Sequence, residues 1–366
     1  MKKLSLLLAV TAAFALLLLA GCGDDDSAKT TPTTAASASA AASNTQAATT
    51  APASPSAVKT RPTVQKDVNL GYSPLLINAP FYVGIDKGYF ADEGINLKLQ
   101  RIVAGAADVL TQTAAGNFDI GSAGIGAAGF NLAAAAIKDK KEVPFEVVSP
   151  LHTERPPAAT PMVVSKARKA SGEITKVADL KGKKVAVNAR GAATEYWVYL
   201  ALGTAGLTMK DITLVTMAFS DMPAALDNKG IDAAMLGEPL TTQAKDLGQV
   251  DVLTDTFTNG QAATAVYWNR DWARKNPDLA QGFLNAFYKA ANEMEKGGWD
   301  DPADLAIIEK YTQVKADVIK RASRPHFDSL GKFDVNAWRG LEAYFRTSGS
   351  LTYEGDIDLA AFMKLK

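Results

Sequence analysis

From residue 67 onward, short apolar strands alternate with helical patterns along the chain. Each predicted strand is followed by a polar or glycine-containing loop and then by a helix. Two series of three strands are recognisable: Val68–Tyr72, Ile95–Arg101, Phe118–Ser122, Lys184–Val187, Ile212–Val215 and Ile231–Leu236. Strands that alternate with crossover helices form mainly parallel sheets, so the pattern predicts two α/β lobes.

Two similar phrases support this duplication. AAGNFDIGSAG at 114–124 and LDNKGIDAAMLGEP at 226–239 each contain a helix end, a glycine, a small-residue strand and another glycine. The alternative is a chance likeness between two α/β segments. Pro161–Val164 and Ala265–Trp268 are predicted to join the lobes, and helices close the chain.

The N-terminal segment predicts export. Residues 1–21 combine two lysines with a short apolar core that ends in small residues, as an export signal does. Leu19–Cys22 resembles a bacterial lipobox, in which the cysteine thiol carries a diacylglycerol. A buried free cysteine in an anchor helix is the alternative. Residues 22–66 are predicted to be the lipidated Cys22 and a disordered tether, since Ala, Ser, Thr and Pro predominate after the cysteine.

Composition excludes several classes of function. The 39 Lys+Arg balance the 39 Asp+Glu, which argues against a nucleic-acid partner because such proteins carry a basic surface. One cysteine cannot form an intramolecular disulfide, and two histidines cannot build a Cys/His zinc site. Only an all-oxygen metal site remains open, and no metal or cofactor is predicted. The nucleophile-elbow, Walker and dinucleotide-binding fingerprints are absent, so an enzyme is not predicted.

Four segments carry a resemblance to a known family: Asn78–Phe81, GIDKGYFADEGINLKL at 84–99, Asp179–Val187 and Gly230–Pro239. They resemble substrate-binding proteins of ABC transporters, in the subgroup that handles taurine, alkanesulfonates, nitrate and thiamine-precursor pyrimidines. The resemblance implies a two-lobed periplasmic-binding-protein-like fold of type II. Each lobe would be a mixed, mainly parallel sheet flanked by helices, with paired hinge strands and a cleft between the lobes.

The same resemblance implies domain boundaries and partners. Lobe 1 would comprise 67–160, lobe 2 would comprise 161–264, and 265–366 would return to lobe 1 and add the C-terminal helices. The partners would be a small-molecule ligand, ABC permease and ATPase subunits, and the membrane through the lipid anchor. The protein is therefore expected at the extracytoplasmic face of the cell membrane.

The ligand site is expected in the loops at the carboxyl ends of the strands, where open α/β sheets bind ligands. The candidate binding residues are Asn78, Phe81, Gly105, Ser122, Gly124, Asn188, Arg190, Thr194, Tyr196, Trp197, Phe219 and Glu238. Alternatives stay open: the small residues serve tight turns, Arg190 is solvated, some aromatic residues face the core, and Glu238 caps a helix. His152 and Arg155 are interpreted as surface-loop residues, with the cleft floor as the alternative.

The composition of these loops favours an organic ligand. Arg190 is their one obvious cation, whereas several aromatic and hydrogen-bonding side chains are present. A nitrogen-containing ring compound, such as a vitamin or its precursor, is expected, with an organosulfonate or aromatic carboxylate as the alternative. Two further classes are a surface adhesion lipoprotein and a relative of the thiamine pyrimidine synthase. That enzyme relies on a histidine and a cysteine-rich motif, and this chain lacks the motif.

Overall fold

The computed structural model describes residues 62–102, 105–327 and 331–365. The predicted export signal, Cys22 and most of the predicted tether lie outside these ranges. No helix within them combines the length and apolar character needed to span a bilayer.

Within the described residues, ten strands form two five-stranded sheets. The strands are β1 (Lys66–Tyr72), β2 (Ile95–Arg101), β3 (Ile120–Gly124), β4 (Phe145–Pro150), β5 (Met162–Ser165), β6 (Lys184–Val187), β7 (Thr213–Thr216), β8 (Ala233–Met235), β9 (Val250–Thr254) and β10 (Thr264–Asn269). Their orders are β2-β1-β3-β10-β4 and β7-β6-β8-β5-β9. One strand of each sheet is antiparallel to its neighbours: β10 in the first sheet and β5 in the second. The two mixed sheets confirm the predicted fold class.

Helices cover the sheets: α1 (Ala79–Asp86), α2 (Tyr89–Asp92), α3 (Ala106–Ala114), α4 (Gly126–Lys138), α5 (Lys166–Ala170), α6 (Ala193–Gly203), α7 (Met222–Asp227), α8 (Leu240–Asp246), α9 (Arg270–Lys275), α10 (Pro277–Glu293), α11 (Pro302–Thr312), α12 (Ala316–Arg321) and α13 (Val335–Thr347). Local sequence determines several of their starts. Asp301, for example, accepts hydrogen bonds from the backbone N–H groups of Ala303 and Asp304, which α11 leaves unpaired.

The chain crosses between the two sheets twice, at 151–161 and at 255–263. These two crossings pair with each other: the Glu154 N–H donates to the Gln261 carbonyl at 3.0 Å, and the Gly260 N–H donates to the Glu154 carbonyl at 2.9 Å. The segments predicted to join the lobes lie beside these crossings, in β5 and β10. The first lobe below means the sheet with β1 and its helices, and the second lobe means the sheet with β6.

The aromatic core of the first lobe contains Phe81, which the sequence analysis placed at the cleft. Its ring stacks on Phe287 of α10 with centroids 4.9 Å apart and lies 6.0 Å from that of Phe283. Phe81 is fully buried there. The expectation that it contacts a ligand is corrected, because α1 uses this face to pack against α10.

The two lobes contact each other directly at the carboxyl ends of their strands. The Ala127 N–H donates to the Gly191 carbonyl at 2.8 Å, and the Leu76 N–H donates to the Glu238 carbonyl at 3.1 Å. Gly126 has a φ of +57°, and a Cβ there would lie 2.2 Å from the Gly191 oxygen. Only glycine therefore permits this close approach of the two backbones.

Candidate ligand-binding site

A cavity of about 70 Å³ lies between the lobes. Its walls are Ser73, Leu75, Ile77, Asn78, Ala106, Ser122, Ala123, Gly124, His152, Glu154, Thr160, Asn188, Ala192, Ala193, Thr194, Trp197, Phe219 and Thr264. Both lobes and the first crossing contribute to this wall. Its position at the strand ends is the one at which open α/β sheets bind ligands.

The structure brings seven of the twelve candidate residues together at this cavity. These seven are Asn78, Ser122, Gly124, Asn188, Thr194, Trp197 and Phe219. Five do not line it: Phe81, Gly105, Arg190, Tyr196 and Glu238. Gly105 lies directly before α3, and its neighbour Ala106 is part of the wall.

Arg190 and Glu238 are occupied elsewhere. The exposed Arg190 donates from Nη2 to the Leu214 carbonyl at 3.1 Å. Glu238 accepts hydrogen bonds from the N–H and hydroxyl of Thr242 at 3.0 and 2.9 Å, so it caps the start of α8. Burial raises the pKa of the Glu238 carboxyl, and the hydrogen bonds from Thr242 partly oppose that shift. The helix-cap alternative describes Glu238 correctly.

Tyr196 and Trp197 point in different directions from α6. Trp197 lines the cavity, whereas Tyr196 packs on Tyr199 and on Tyr344 of α13, with ring centroids 6.1 and 5.6 Å away. Successive helical residues are about 100° apart, so two adjacent aromatic rings cannot both face one cleft. Tyr196 is therefore a packing residue, and its assignment to the ligand site is corrected.

Two asparagines organise the polar part of the wall. In the first lobe, the Ser122 hydroxyl donates to Asn78 Oδ1 at 2.6 Å, and Asn78 Nδ2 donates to the Ser73 carbonyl at 2.7 Å. In the second lobe, the Thr194 hydroxyl donates to Asn188 Oδ1 at 2.6 Å. Asn188 Nδ2 has no hydrogen-bond partner among the described residues, so it can donate to a ligand.

Two helices begin at the cavity wall. Ala106 is the first residue of α3, and Ala193 is the first residue of α6. The first turn of a helix has unpaired N–H groups and carries the positive end of the helix dipole. Together with the Asn188 amide, these groups suit a carbonyl or anionic oxygen of a ligand.

The sequence analysis missed the polar group at the crossing. His152 and Glu154 are 2% and 1% exposed, so the interpretation of His152 as a surface-loop residue is wrong. His152 Nε2 lies 3.1 Å from Glu154 Oε1, and His152 Nδ1 lies 2.8 Å from the hydroxyl of Thr264 on β10. The Ala159 N–H donates to Glu154 Oε2 at 2.8 Å. Arg155, by contrast, is exposed as expected.

These contacts determine the charge of Glu154. Burial alone would raise the pKa of its carboxyl. Hydrogen bonds from His152, Thr160 and Ala159, together with the positive charge of His152 when that ring is protonated, outweigh burial and lower the pKa from its ordinary value. Among the cavity-lining residues, Glu154 is the one carboxylate, and there is no lysine or arginine. No group of three or more metal-ligating side chains occurs in the described part of the chain.

A model of the NMT1-like family matches residues 61–305, which is more than half of the chain. The chain belongs to this family. Its curated relatives include the nitrate/nitrite binding protein NrtA of Nostoc sp., 26% identical over 296 residues. That match covers 76% of this chain and 66% of NrtA, so the chain spans just under two thirds of that relative.

A second relative is matched along more of its length. The riboflavin-binding protein RibY of Chloroflexus aurantiacus is 24% identical over 330 residues, which cover 86% of this chain and 89% of RibY. Among solved structures, the alkanesulfonate-binding protein SsuA from Xanthomonas axonopodis pv. citri, bound to MOPS, has a TM-score of 0.65. At 16% identity it covers 83% of this chain and 100% of SsuA, and it shows the fold. The resemblance to this class of binding proteins is confirmed.

The lowered pKa of Glu154 predicts a pH-dependent contribution to stability. An acid whose folded-state pKa lies below its unfolded value stabilises the fold above the unfolded value, about 4.3 for glutamate, and this effect is lost as the pH falls through the folded value. We expect Glu154→Gln to lower the free energy of unfolding by about 1–3 kcal/mol at pH 7. Between pH 5 and pH 3 this difference should shrink.

Urea unfolding at pH 7, 5, 4 and 3 measures that difference. Glu354→Gln is the matched control, because Glu354 is an exposed glutamate and its replacement should leave the unfolding curve unchanged. A Glu154→Gln deficit that stays constant from pH 7 to pH 3 would contradict the assigned role of the carboxylate.

Proposed function

We propose that this chain is the extracytoplasmic solute-binding component of an ABC importer. The observation that carries the proposal is the cavity, whose wall is built from both lobes and the first crossing. A ligand that contacts both lobes favours the arrangement in which the lobes are close together. Such a protein binds its solute without chemical change and presents the closed form to permease and ATPase subunits. The membership in a family whose relatives are named as binding proteins supports this role.

The favoured ligand is a nitrogen-containing ring compound with an oxygen-bearing end. Its oxygen would accept hydrogen bonds from Asn188 and from the starts of α3 and α6, and its ring would lie against Trp197 and Phe219. A second cavity, of about 320 Å³, shares Ser73, Leu75 and Phe219 with the first and offers room for the ring. The relative RibY, named for riboflavin, is consistent with such a ligand.

An organosulfonate or aromatic carboxylate is the second candidate, and the size of the inner cavity favours it. Its 70 Å³ is about half of the roughly 150 Å³ that holds benzene in an apolar cavity, so a sulfonate or carboxylate group fits better than a fused ring. The neighbouring structure of SsuA is bound to a sulfonate, MOPS. Free nitrate is disfavoured in the inner cavity, because no lysine or arginine lies among the described residues that line it; Arg101 lines only the second cavity.

A ligand screen by thermal shift tests the proposal. Sulfonates, carboxylates, pyrimidines, flavins and nitrate are each added, and the expected ligand stabilises the protein by about 2.7 kcal/mol at a hundredfold excess over Kd. Chromatography of the recovered ligand should show no turnover. Chemical conversion would indicate an enzyme instead. The absence of stabilisation by every compound would favour an adhesion lipoprotein.

Trp197 should contribute to the affinity for the ligand that this screen identifies. Trp197→Phe keeps a buried aromatic ring but removes part of the cavity wall, so we expect binding to weaken by about 1 kcal/mol, or roughly fivefold. Calorimetry measures the loss. Tyr196→Phe is the matched control, since Tyr196 is its neighbour on α6 but lies outside the cavity. Equal losses in both variants would argue against a ligand contact by Trp197.

We further propose that Cys22 anchors the protein to the membrane through a lipid, as the lipobox-like Leu19–Cys22 indicates. Cys22→Ala should leave an unprocessed precursor without lipid, because the acylated thiol would be lost. Intact-mass spectrometry of the membrane fraction measures both properties. A wild-type mature chain that begins at a residue other than Cys22 would contradict the anchor.

A further inference from the structure

The two ionisable side chains on the cavity wall, His152 and Glu154, are in contact and almost fully buried. Glu154 Oε2 accepts hydrogen bonds from the backbone N–H groups of Ala159 and Thr160, at 2.8 and 3.3 Å, and these favour the ionised carboxylate. Any anionic group that entered this desolvated cavity would therefore meet a like charge, and buried like charges repel strongly. Among the described residues that line the inner cavity, His152 is the one side chain that can supply a compensating positive charge; Arg101 lines the second cavity instead.

The contacts of the imidazole show what its protonation changes. Nε2–H donates to the Glu154 carboxylate whether the ring is neutral or charged. In the neutral ring, Nδ1 is an acceptor and takes the hydrogen of the Thr264 hydroxyl. In the charged ring, Nδ1–H donates to that hydroxyl, whose own hydrogen then becomes available to the cavity. Protonation thus converts Thr264 from an acceptor into a donor toward a ligand.

Other charged groups near the ring are occupied elsewhere. The segment that pairs with Thr153 brings His326 close, but the His326 ring is partly exposed and lies 3.7 Å from Glu295. Arg155, next to Glu154 in sequence, is exposed on the crossing. Thr264 is the contact from β10 and is uncharged. Among the described residues, Glu154 is therefore the charged side chain that hydrogen-bonds to the His152 ring.

We propose that His152 takes up one proton when the cavity binds an anionic oxygen, and that the Thr264 hydroxyl then donates to that oxygen. The inference rests on the proposed binding function and adds to it a pH-dependent preference for anionic over uncharged ligands. With the proton bound, the His152–Glu154 pair is neutral overall and no longer repels an anion. The affinity for anionic ligands should then increase as the pH falls, by up to about tenfold per pH unit for one linked proton. An uncharged ligand of the same shape gains much less.

Calorimetry with propane-1-sulfonate tests this coupling, and its uncharged analogue methyl propyl sulfone is the matched control ligand. Titrations at pH 7 in phosphate and in Tris, whose ionisation enthalpies differ, count the protons taken up. We expect proton uptake with the sulfonate and little with the sulfone. His152→Gln can still donate to Glu154 but cannot be charged, so it should take up no proton and bind with a pH-independent affinity. His326→Gln should behave like the wild type.

Sulfonate binding without proton uptake, or an unchanged pH dependence in His152→Gln, would overturn the inference while the proposed function stands. The same holds if flavins or pyrimidines bind but no anion binds at pH 5.5. If no compound of either kind binds, the proposed function fails and the inference fails with it. Where the sulfonate does bind, NMR of the free protein and of the complex reads the charge of the ring directly. The chain has two histidines, so two imidazole signals are resolved with ¹⁵N-labelled histidine. The His152 ring should be neutral in the free protein at pH 7 and charged, with Nδ1–H, in the sulfonate complex. A ring that is already charged in the free protein, or that stays neutral in the complex, overturns the inference.

Discussion

The buried carboxylate of Glu154 is the interaction on which the arrangement of the two lobes depends. Its backbone pairs with the returning crossing at Gln261 and Gly260, and its side chain holds the Ala159 N–H and the His152 ring. Removing a carboxylate from water costs several kcal/mol unless hydrogen bonds replace its hydration. The donors that satisfy Glu154 all come from the first crossing, so the charge fixes the path by which the chain leaves the first lobe.

That path determines where the cavity forms. Because both crossings are paired at one point, the carboxyl ends of the two sheets face each other, and the lobes touch through Ala127 and Gly191. The contact needs Gly126, where a side chain would collide with the Gly191 carbonyl. The cavity is therefore bounded by backbone contacts on one side and by the crossing on the other. The position of the cavity is a consequence of how the lobes are connected.

Local patterns were sufficient to predict β1, β2, β3, β6, β7 and β8, and β2 and β6 have the predicted bounds, Ile95–Arg101 and Lys184–Val187. They did not predict β4 or β9. Strand ends also indicated the loops that line the cavity. The direction of each side chain could not be predicted in the same way, because it depends on partners distant in sequence. Phe81 faces the core since α10 packs there, and His152 is buried since 151–161 pairs with a segment about 100 residues later. The residues next to Phe81 and His152 in the sequence do not indicate either of these distant packing partners.

The two lobes are built alike but differ in the hydrogen bonds of their cavity asparagines. Each lobe places an asparagine on the cavity wall. The Oδ1 atom of that asparagine accepts a hydrogen bond of 2.6 Å from a hydroxyl group, Ser122 in the first lobe and Thr194 in the second. The Asn78 amide nitrogen is used by the Ser73 carbonyl, whereas that of Asn188 has no partner in the described part of the chain. The first lobe thus uses its amide to hold its own loops in shape. In the second lobe the corresponding amide stays available at the cavity. Under the proposed function, the hydrogen bond that it forms on binding would draw this lobe toward the solute.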